Sequence, residues 1–384
     1  MKKIAVVTTT RAEYGLLSPV IKELRKQKDS ELTVDLLVTG THLNDSYGET
    51  IYEIEERIDY KITIPVRSDT EQDISNNQAA ALVKFTELFL KERYNGVMLL
   101  GDRYETLAIA ISAGNTHTPV FHLCGGDTTE GALDEWIRHS ITKISYLHFV
   151  TNEESRKRVI QLGEDPERVF NYGSTSIDNI LKVTNLSKKE ALDHVNLKNC
   201  QYALCTYHPV TMEDRGVDIW IDNFLVAIAA FPDICFIVTK SNADKGGARI
   251  NELFDKAEKK IPNLHIFASL GTRQYLSLMK YAEFVLGNSS SGIIEAPALH
   301  IPTVNIGDRQ RGRLQSKSVI NCAAGAEDIK AAIRKALSEK HRRICQHVIS
   351  PYGAGHAAQQ IAAKTLEIVM NGRIDLKKKF YNLQ

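Results

Sequence analysis

Seven polar stretches in this chain each follow a short apolar run, and most residues that could do chemistry sit in them. Asp102 comes directly after Val97-Met98-Leu99-Leu100-Gly101. A carboxylate at that point is either a helix N-cap or a catalytic acid or base. The stretch Gly125–Arg138 holds Asp127, Glu130, Asp134 and Glu135 around one glycine turn. Carboxylates crowded in this way repel one another and should raise at least one pKa. A raised acid beside an ordinary one is what proton transfer needs. The bland alternative is a set of caps for a helix over Leu133–Lys143. His208, followed by Pro209, stands just past the run Ala203–Thr206 and could donate to a phosphate or a leaving group. A lone histidine is otherwise usually structural, and His139, beside Arg138, reads that way.

A second group of residues is suited to binding an anion. Gly287-Asn288-Ser289-Ser290-Ser291-Gly292 lies between an apolar run and a helix-like segment. Small residues at such a turn let backbone N–H groups point at a phosphate, and the serine hydroxyls add donors. An ordinary serine N-cap is the competing reading. Glu295, one turn further on, could accept from ribose hydroxyls or merely favour the helix dipole. Arg11 and Arg309 each follow an apolar run and could clamp a phosphate in bidentate fashion. Taken together they favour a pyrophosphate. The first turn reads Thr8-Thr9-Thr10-Arg11-Ala12-Glu13-Tyr14-Gly15, so the G-x-G-x-x-G dinucleotide fingerprint is absent.

These residues must be carried by parallel βαβ units, because short β-branched runs alternate with longer amphipathic stretches. Strands are expected at Lys3–Thr8, Thr33–Val38, Gly96–Leu100, Val120–Leu123, His148–Val150 and Val169–Tyr172. A second series is expected at Ala203–Thr206, Ile234–Val238, Leu264–Phe267, Phe284–Leu286 and Thr303–Ile306. A charged helix near Lys188–His194 separates the two series. The expected organisation is α/β, with two Rossmann-like domains, residues 1–183 and 184–355, sharing one ligand cleft. Residues 356–384 read as a helix returning to the first domain, then a basic tail. Length supports two cores, since 384 residues exceed one ordinary domain. Lys and Arg (48) nearly balance Asp and Glu (47), so no net field would recruit nucleic acid or an anionic membrane. The apolar N-terminal run is too short for a signal peptide, and no stretch approaches a membrane span. Six cysteines without Cys-x-x-Cys or zinc-like spacing fit a reducing cytoplasm.

In order and spacing the motifs resemble the hydrolysing UDP-N-acetylglucosamine 2-epimerases of sialic acid biosynthesis. The matching pieces are Thr10-Arg11-Ala12-Glu13-Tyr14-Gly15, Val38-Thr39-Gly40-Thr41-His42-Leu43 and Gly101-Asp102-Arg103-Tyr104-Glu105. They continue through Gly125-Gly126-Asp127, Asp134-Glu135, Arg138–Lys143, His208-Pro209-Val210-Thr211, Gly287-Asn288-Ser289-Ser290 and Gly307-Asp308-Arg309-Gln310. The resemblance implies a fold like that of the GT-B glycosyltransferases and no metal or other cofactor. It implies UDP-N-acetylglucosamine and water going to N-acetylmannosamine and UDP, by anti elimination to a 2-acetamidoglucal and then hydration. Asp102 and Asp134 resemble the family's acid/base carboxylates, and His208 its histidine near the leaving phosphate. Arg11, Arg103, Ser289, Ser290 and Arg309 match substrate contacts, Glu295 the ribose contact, and Asn242 a polar position near the nucleotide. A homodimer or homotetramer is also implied. One position departs from the pattern: Cys124 stands where many members carry a glutamate. Either Asp127 or Glu130 takes over that acid, or the sugar differs. The alternative sugar is diacetylbacillosamine, carried on UDP or GDP, with the same chemistry. A non-hydrolysing epimerase and a GT-B glycosyltransferase are more distant alternatives.

Overall fold

The computed structural model describes residues 1–26, 32–44, 50–65, 70–129, 133–183, 186–209, 216–241, 247–372 and 374–383. They form two α/β units, one built on Met1–Asp127, Leu133–Asp178 and Gly355–Gln384, the other on Asn179–Ala354. Glu130 and Asn242, both expected at the site, lie outside the described residues.

In the first unit the strands are β1 (Lys2–Thr8), β2 (Leu32–Thr39), β3 (Tyr60–Ile62), β4 (Gly96–Leu100), β5 (Val120–Leu123), β6 (Leu147–Val150) and β7 (Val169–Asn171). The helices that follow them are α1 (Arg11–Lys26), α2 (Glu71–Glu92), α3 (Tyr104–Asn115), α4 (Leu133–Ile144), α5 (Glu153–Gln161) and the first residues of α6 (Thr175–Val183). All strand pairs are parallel, in the order β3-β2-β1-β4-β5-β6-β7. The central strands are mostly apolar because both faces are covered. Ile4, Val6, Leu36 and Met98 face one core, while Ala5, Val7, Leu37 and Val97 face the other.

The second unit begins with α7 (Lys188–Asp193), started by a capping box between Ser187 and Glu190. It continues through β8 (Gln201–Thr206), α8 (Val217–Ala229), β9 (Ile234–Thr239), α9 (Gly247–Glu258), β10 (Leu264–Phe267) and α10 (Gly271–Tyr281). Then come β11 (Phe284–Gly287), α11 (Ser291–Ala298), β12 (Thr303–Ile306), β13 (Val319–Cys322), α12 (Ala326–Leu337) and α13 (Glu339–Gln346). This sheet is also parallel, in the order β10-β9-β8-β11-β12-β13. The last helix, α14 (Ala357–Asn371), belongs to the first unit. There Asp178 accepts the Ala358 N–H at 2.7 Å, and Ala357, Ile361 and Val369 join the core of α1.

Every strand expected from the sequence is present, within a residue or two at the ends. The two that were not anticipated, β3 and β13, are edge strands with half-exposed residues, so neither shows a continuous apolar run. In both sheets the strand order reverses at one place, between β1 and β4 in the first unit and between β8 and β11 in the second. Open α/β sheets bind ligands outside the carboxyl ends of strands at such reversals.

Candidate active site

At the reversal in the first unit, Asp102 follows β4 and meets Arg138 of α4. Arg138 is essentially buried, and both its Nε, at 2.9 Å, and its Nη2 donate to Asp102 Oδ2. Its Nη1 donates to the Asp127 carbonyl at 2.8 Å and to Glu135 Oε2 at 3.2 Å. Burial opposes the Arg138 charge, but Asp102, Asp127 and Glu135 outweigh it and hold the guanidinium above its usual range. Asp134 lies in the first turn of α4, four residues before Arg138 and hence on the same face of the helix.

The crowd of acids expected to repel one another is therefore built around a buried cation, which the count of carboxylates had left out. Asp127 itself points elsewhere. Its Oδ1 accepts from Ser155 Oγ at 2.6 Å, Thr151 Oγ1 at 3.2 Å and Asn152 Nδ2 at 3.5 Å, so it ties the β5 loop to the start of α5. Cys124 adopts a left-handed φ of 63° directly after β5. His139 contacts Glu135 Oε1 at 3.3 Å.

Glu13, at the start of α1, is a carboxyl with a raised pKa. Burial pushes it up to about 7, against the nearby Arg103 charge and hydrogen bonds from Thr9. Glu13 Oε2 accepts the Thr9 N–H at 2.8 Å, Thr9 Oγ1 at 2.7 Å and the Thr10 N–H at 3.2 Å. It thus shapes the turn that presents Arg11, which pairs with Glu53 at 3.5 Å and stays partly exposed. Arg103 donates from Nε to the fully buried Glu105 at 3.2 Å, and its guanidinium lies 5.5 Å from the Tyr104 ring centre. His42 bridges Thr8 Oγ1 at 3.0 Å and Thr50 Oγ1 at 2.9 Å. Burial lowers its pKa to about 4 and keeps it neutral.

In the second unit Asn288, at the end of β11, ties three loops together. Its Oδ1 accepts the His208 N–H at 2.7 Å and its Nδ2 donates to the His208 carbonyl at 2.8 Å. Its own carbonyl accepts from Arg309 Nη1 at 3.1 Å and Gln310 Nε2 at 2.8 Å. Gly287, with φ 136°, makes the close approach possible, since a Cβ there would lie 2.0 Å from the Thr206 carbonyl oxygen. His208 Nδ1 lies 3.3 Å from Ser241 Oγ. Ser290 is the N-cap residue of α11, and Ser289 Oγ accepts from Ser291 Oγ at 3.1 Å. Tyr275 OH meets Ser291 Oγ at 2.7 Å and Thr206 Oγ1 at 3.3 Å, and burial pushes its pKa up to about 12. Glu295 lies on α11, one turn from its start.

The structure therefore brings His208, Ser289, Ser290 and Arg309 to one reversal, and Arg11, Asp102 and Arg103 to the other, with Asp134 in the first turn of the helix that carries Arg138. Arg138, Asn288, Glu13 and Tyr275 were not singled out from the sequence. Arg138 carried one usable signal, its spacing of four from Asp134.

Each unit is an open, doubly wound sheet with polar groups gathered at its reversal, which is the architecture of nucleotide-binding α/β enzymes. The same fold is found in UDP-GlcNAc 2-epimerase from Neisseria meningitidis, solved bound to UDP-GlcNAc, with a TM-score of 0.81, 20% identity, and 96% of this chain and 100% of that one covered. The family model for UDP-N-acetylglucosamine 2-epimerase matches residues 22–366, and the chain belongs to that family. Among its relatives is the GDP/UDP-N,N'-diacetylbacillosamine 2-epimerase (hydrolyzing) of Campylobacter jejuni, 38% identical with 89% of each chain covered. The polysialic acid biosynthesis protein P7 of Escherichia coli is 39% identical over 92% of this chain and 90% of its own. The UDP-N,N'-diacetylbacillosamine 2-epimerase (hydrolyzing) of Legionella pneumophila is 35% identical over 88% of this chain and 90% of its own.

Proposed function

We propose that this chain is a hydrolysing 2-epimerase acting on a nucleoside-diphosphate N,N'-diacetylbacillosamine. The observation that carries this reading is the near full-length similarity, at 38% and 35% identity, to two enzymes of that activity. It reverses the order of preference drawn from the motifs, which had put UDP-N-acetylglucosamine first. The motifs are shared by both activities because both operate on C1, C2 and the diphosphate, which the two substrates have in common. The difference lies at C4 and C6 of the sugar, which the motif residues are not required to touch.

In this reading one carboxylate removes the C2 proton while the nucleoside diphosphate leaves C1 by anti elimination, forming a 2-acetamidoglycal. Water then adds at C1 and a proton returns to the opposite face of C2, releasing the manno-configured sugar. Asp102 and Asp134 take the acid/base roles, with Arg138 fixing Asp102 in one orientation. His208, Ser289, Ser290, Arg11 and Arg309 hold the diphosphate as its charge develops, Arg103 contacts the substrate and Glu295 holds the ribose. Asp127, spent on the α5 turn, serves as a structural acceptor. That leaves Glu130 or a change of sugar to account for the acid replaced by Cys124. The reaction calls on no metal or redox cofactor. A cytoplasmic homo-oligomer is part of the same reading.

The test is the ratio of kcat/KM for UDP- and GDP-N,N'-diacetylbacillosamine to that for UDP-N-acetylglucosamine. A ratio of about 100 or more is expected, since a site built around a polar substituent rejects the analogue lacking it. A ratio below one would hand the assignment back to UDP-N-acetylglucosamine.

A further inference from the structure

The C-terminal segment after α14 is docked on the first unit beneath the helix that carries Arg138. Lys378 Nζ donates to the carbonyls of Lys143, at 3.0 Å, and Ser145, at 2.5 Å. These oxygens end α4, where the carbonyls have no partner within the helix and the helix dipole favours a cation. The same ammonium lies 2.6 Å from Oε2 of the buried Glu164. Glu164 also accepts from Lys143 Nζ at 2.7 Å and lies 3.1 Å from the buried His148 of β6.

Two further contacts hold the segment in register. The Tyr381 N–H donates to the Gly163 carbonyl at 3.0 Å, and the Phe380 ring packs against Gly163. A Cβ at Gly163 would lie 2.4 Å from that ring, and its φ of 85° favours glycine as well. Lys143 Nζ sits 4.9 Å from the centre of the Phe380 ring, a cation–π contact on α4 itself.

We propose that residues 374–383 act as a strap and that Lys378 is a positioning residue for the acid/base site, acting through α4. One end of α4 is capped by Lys378. The other carries Asp134, Glu135 and Arg138, and Arg138 clamps Asp102. A helix transmits a displacement of its last turn along its axis, so the strap sets where the guanidinium meets the Asp102 carboxylate. The Lys378 ammonium has three donors, and each has an acceptor here. This inference rests on the proposed acid/base role of Asp102 and Asp134.

The experiment compares full-length Lys378→Met, Lys378→Arg and Phe380→Leu with the wild type. It measures kcat, KM and hydrogen exchange of the α4 amides. Lys378→Met is expected to lower kcat about tenfold or more with KM within about twofold, because a small misplacement of a reacting group is costly. Exchange should quicken in α4 and not in the central strands, and Lys378→Arg should restore most of both. Phe380→Leu, at a largely exposed ring, should fold and shift both readouts in the same direction by less. Wild-type kcat with wild-type α4 exchange in Lys378→Met would overturn the proposal. So would faster exchange in α4 with unchanged turnover, or a loss of kcat that tracks uniform loosening of the whole unit. Exchange needs no substrate, so a failure of the assigned reaction is separable from a failure of the strap.

Discussion

Asp102 and Asn288 make opposite demands on a substitution, and the contrast tests how the site divides its work. Asp102 presents a carboxylate whose side chain is 26% exposed while Arg138 holds one of its oxygens. Replacing it with Asn keeps the shape and removes the basicity. Turnover of Asp102→Asn should fall by roughly two to four orders of magnitude with UDP affinity little changed. Asn288→Ala should do the reverse, because it removes the two side-chain hydrogen bonds that tie the His208 loop to the end of β11. Affinity for UDP should weaken by about tenfold or more, the scale of one or two lost buried hydrogen bonds. Steady-state kinetics and UDP titration of both variants read the split, and a fall of kcat alone in Asn288→Ala would remove its assigned role. Residues like Asp102, His208 and Arg309 were legible in the sequence because each follows directly on an apolar strand. Arg138 and Asn288 were not, because their meaning lies in partners brought from distant segments.

At the scale of elements, β5 and β6 place His122 and His148 side by side in the middle of a parallel sheet. Burial is the main cause of the lowered pKa of both, with His122 down to about 3. The fold keeps these rings neutral while the unfolded chain protonates near 6.5. Stability is therefore complete above that value and declines as pH falls below it. Glu164 extends the decline. It is held at about 2 despite burial by His148, Lys143 and Lys378, so its contribution fades as pH falls from 4.5 toward 2. Thermal midpoints should drop steadily from pH 7 to pH 4, and His122→Gln should flatten that limb, its amide replacing the donor to the Gly101 carbonyl. A midpoint independent of pH over this range would contradict the burial argument. The strands themselves and their parallel βαβ arrangement followed from the alternation of apolar runs and amphipathic stretches. The edge strands β3 and β13 did not, since most of their residues are at least partly exposed. Nor did the docking of the C-terminal segment, which reads in sequence only as a basic tail.

Across the whole molecule the same plan is used twice, a parallel sheet that reverses next to its first strand, with the polar residues collected at the reversal. The two sets differ in charge type. The first unit gathers carboxylates around a buried guanidinium, suited to moving protons. The second gathers serines, a histidine and an arginine on an asparagine scaffold, suited to holding phosphates. That division fits elimination of a nucleoside diphosphate followed by hydration better than transfer of a sugar to an acceptor. The most direct test is an NMR time course with UDP-N,N'-diacetylbacillosamine in deuterated water. The account predicts release of UDP together with a free manno-configured sugar carrying deuterium at C2. Release of UDP and a sugar that keeps its original C2 proton would contradict it, because no step of the proposed route leaves that hydrogen in place.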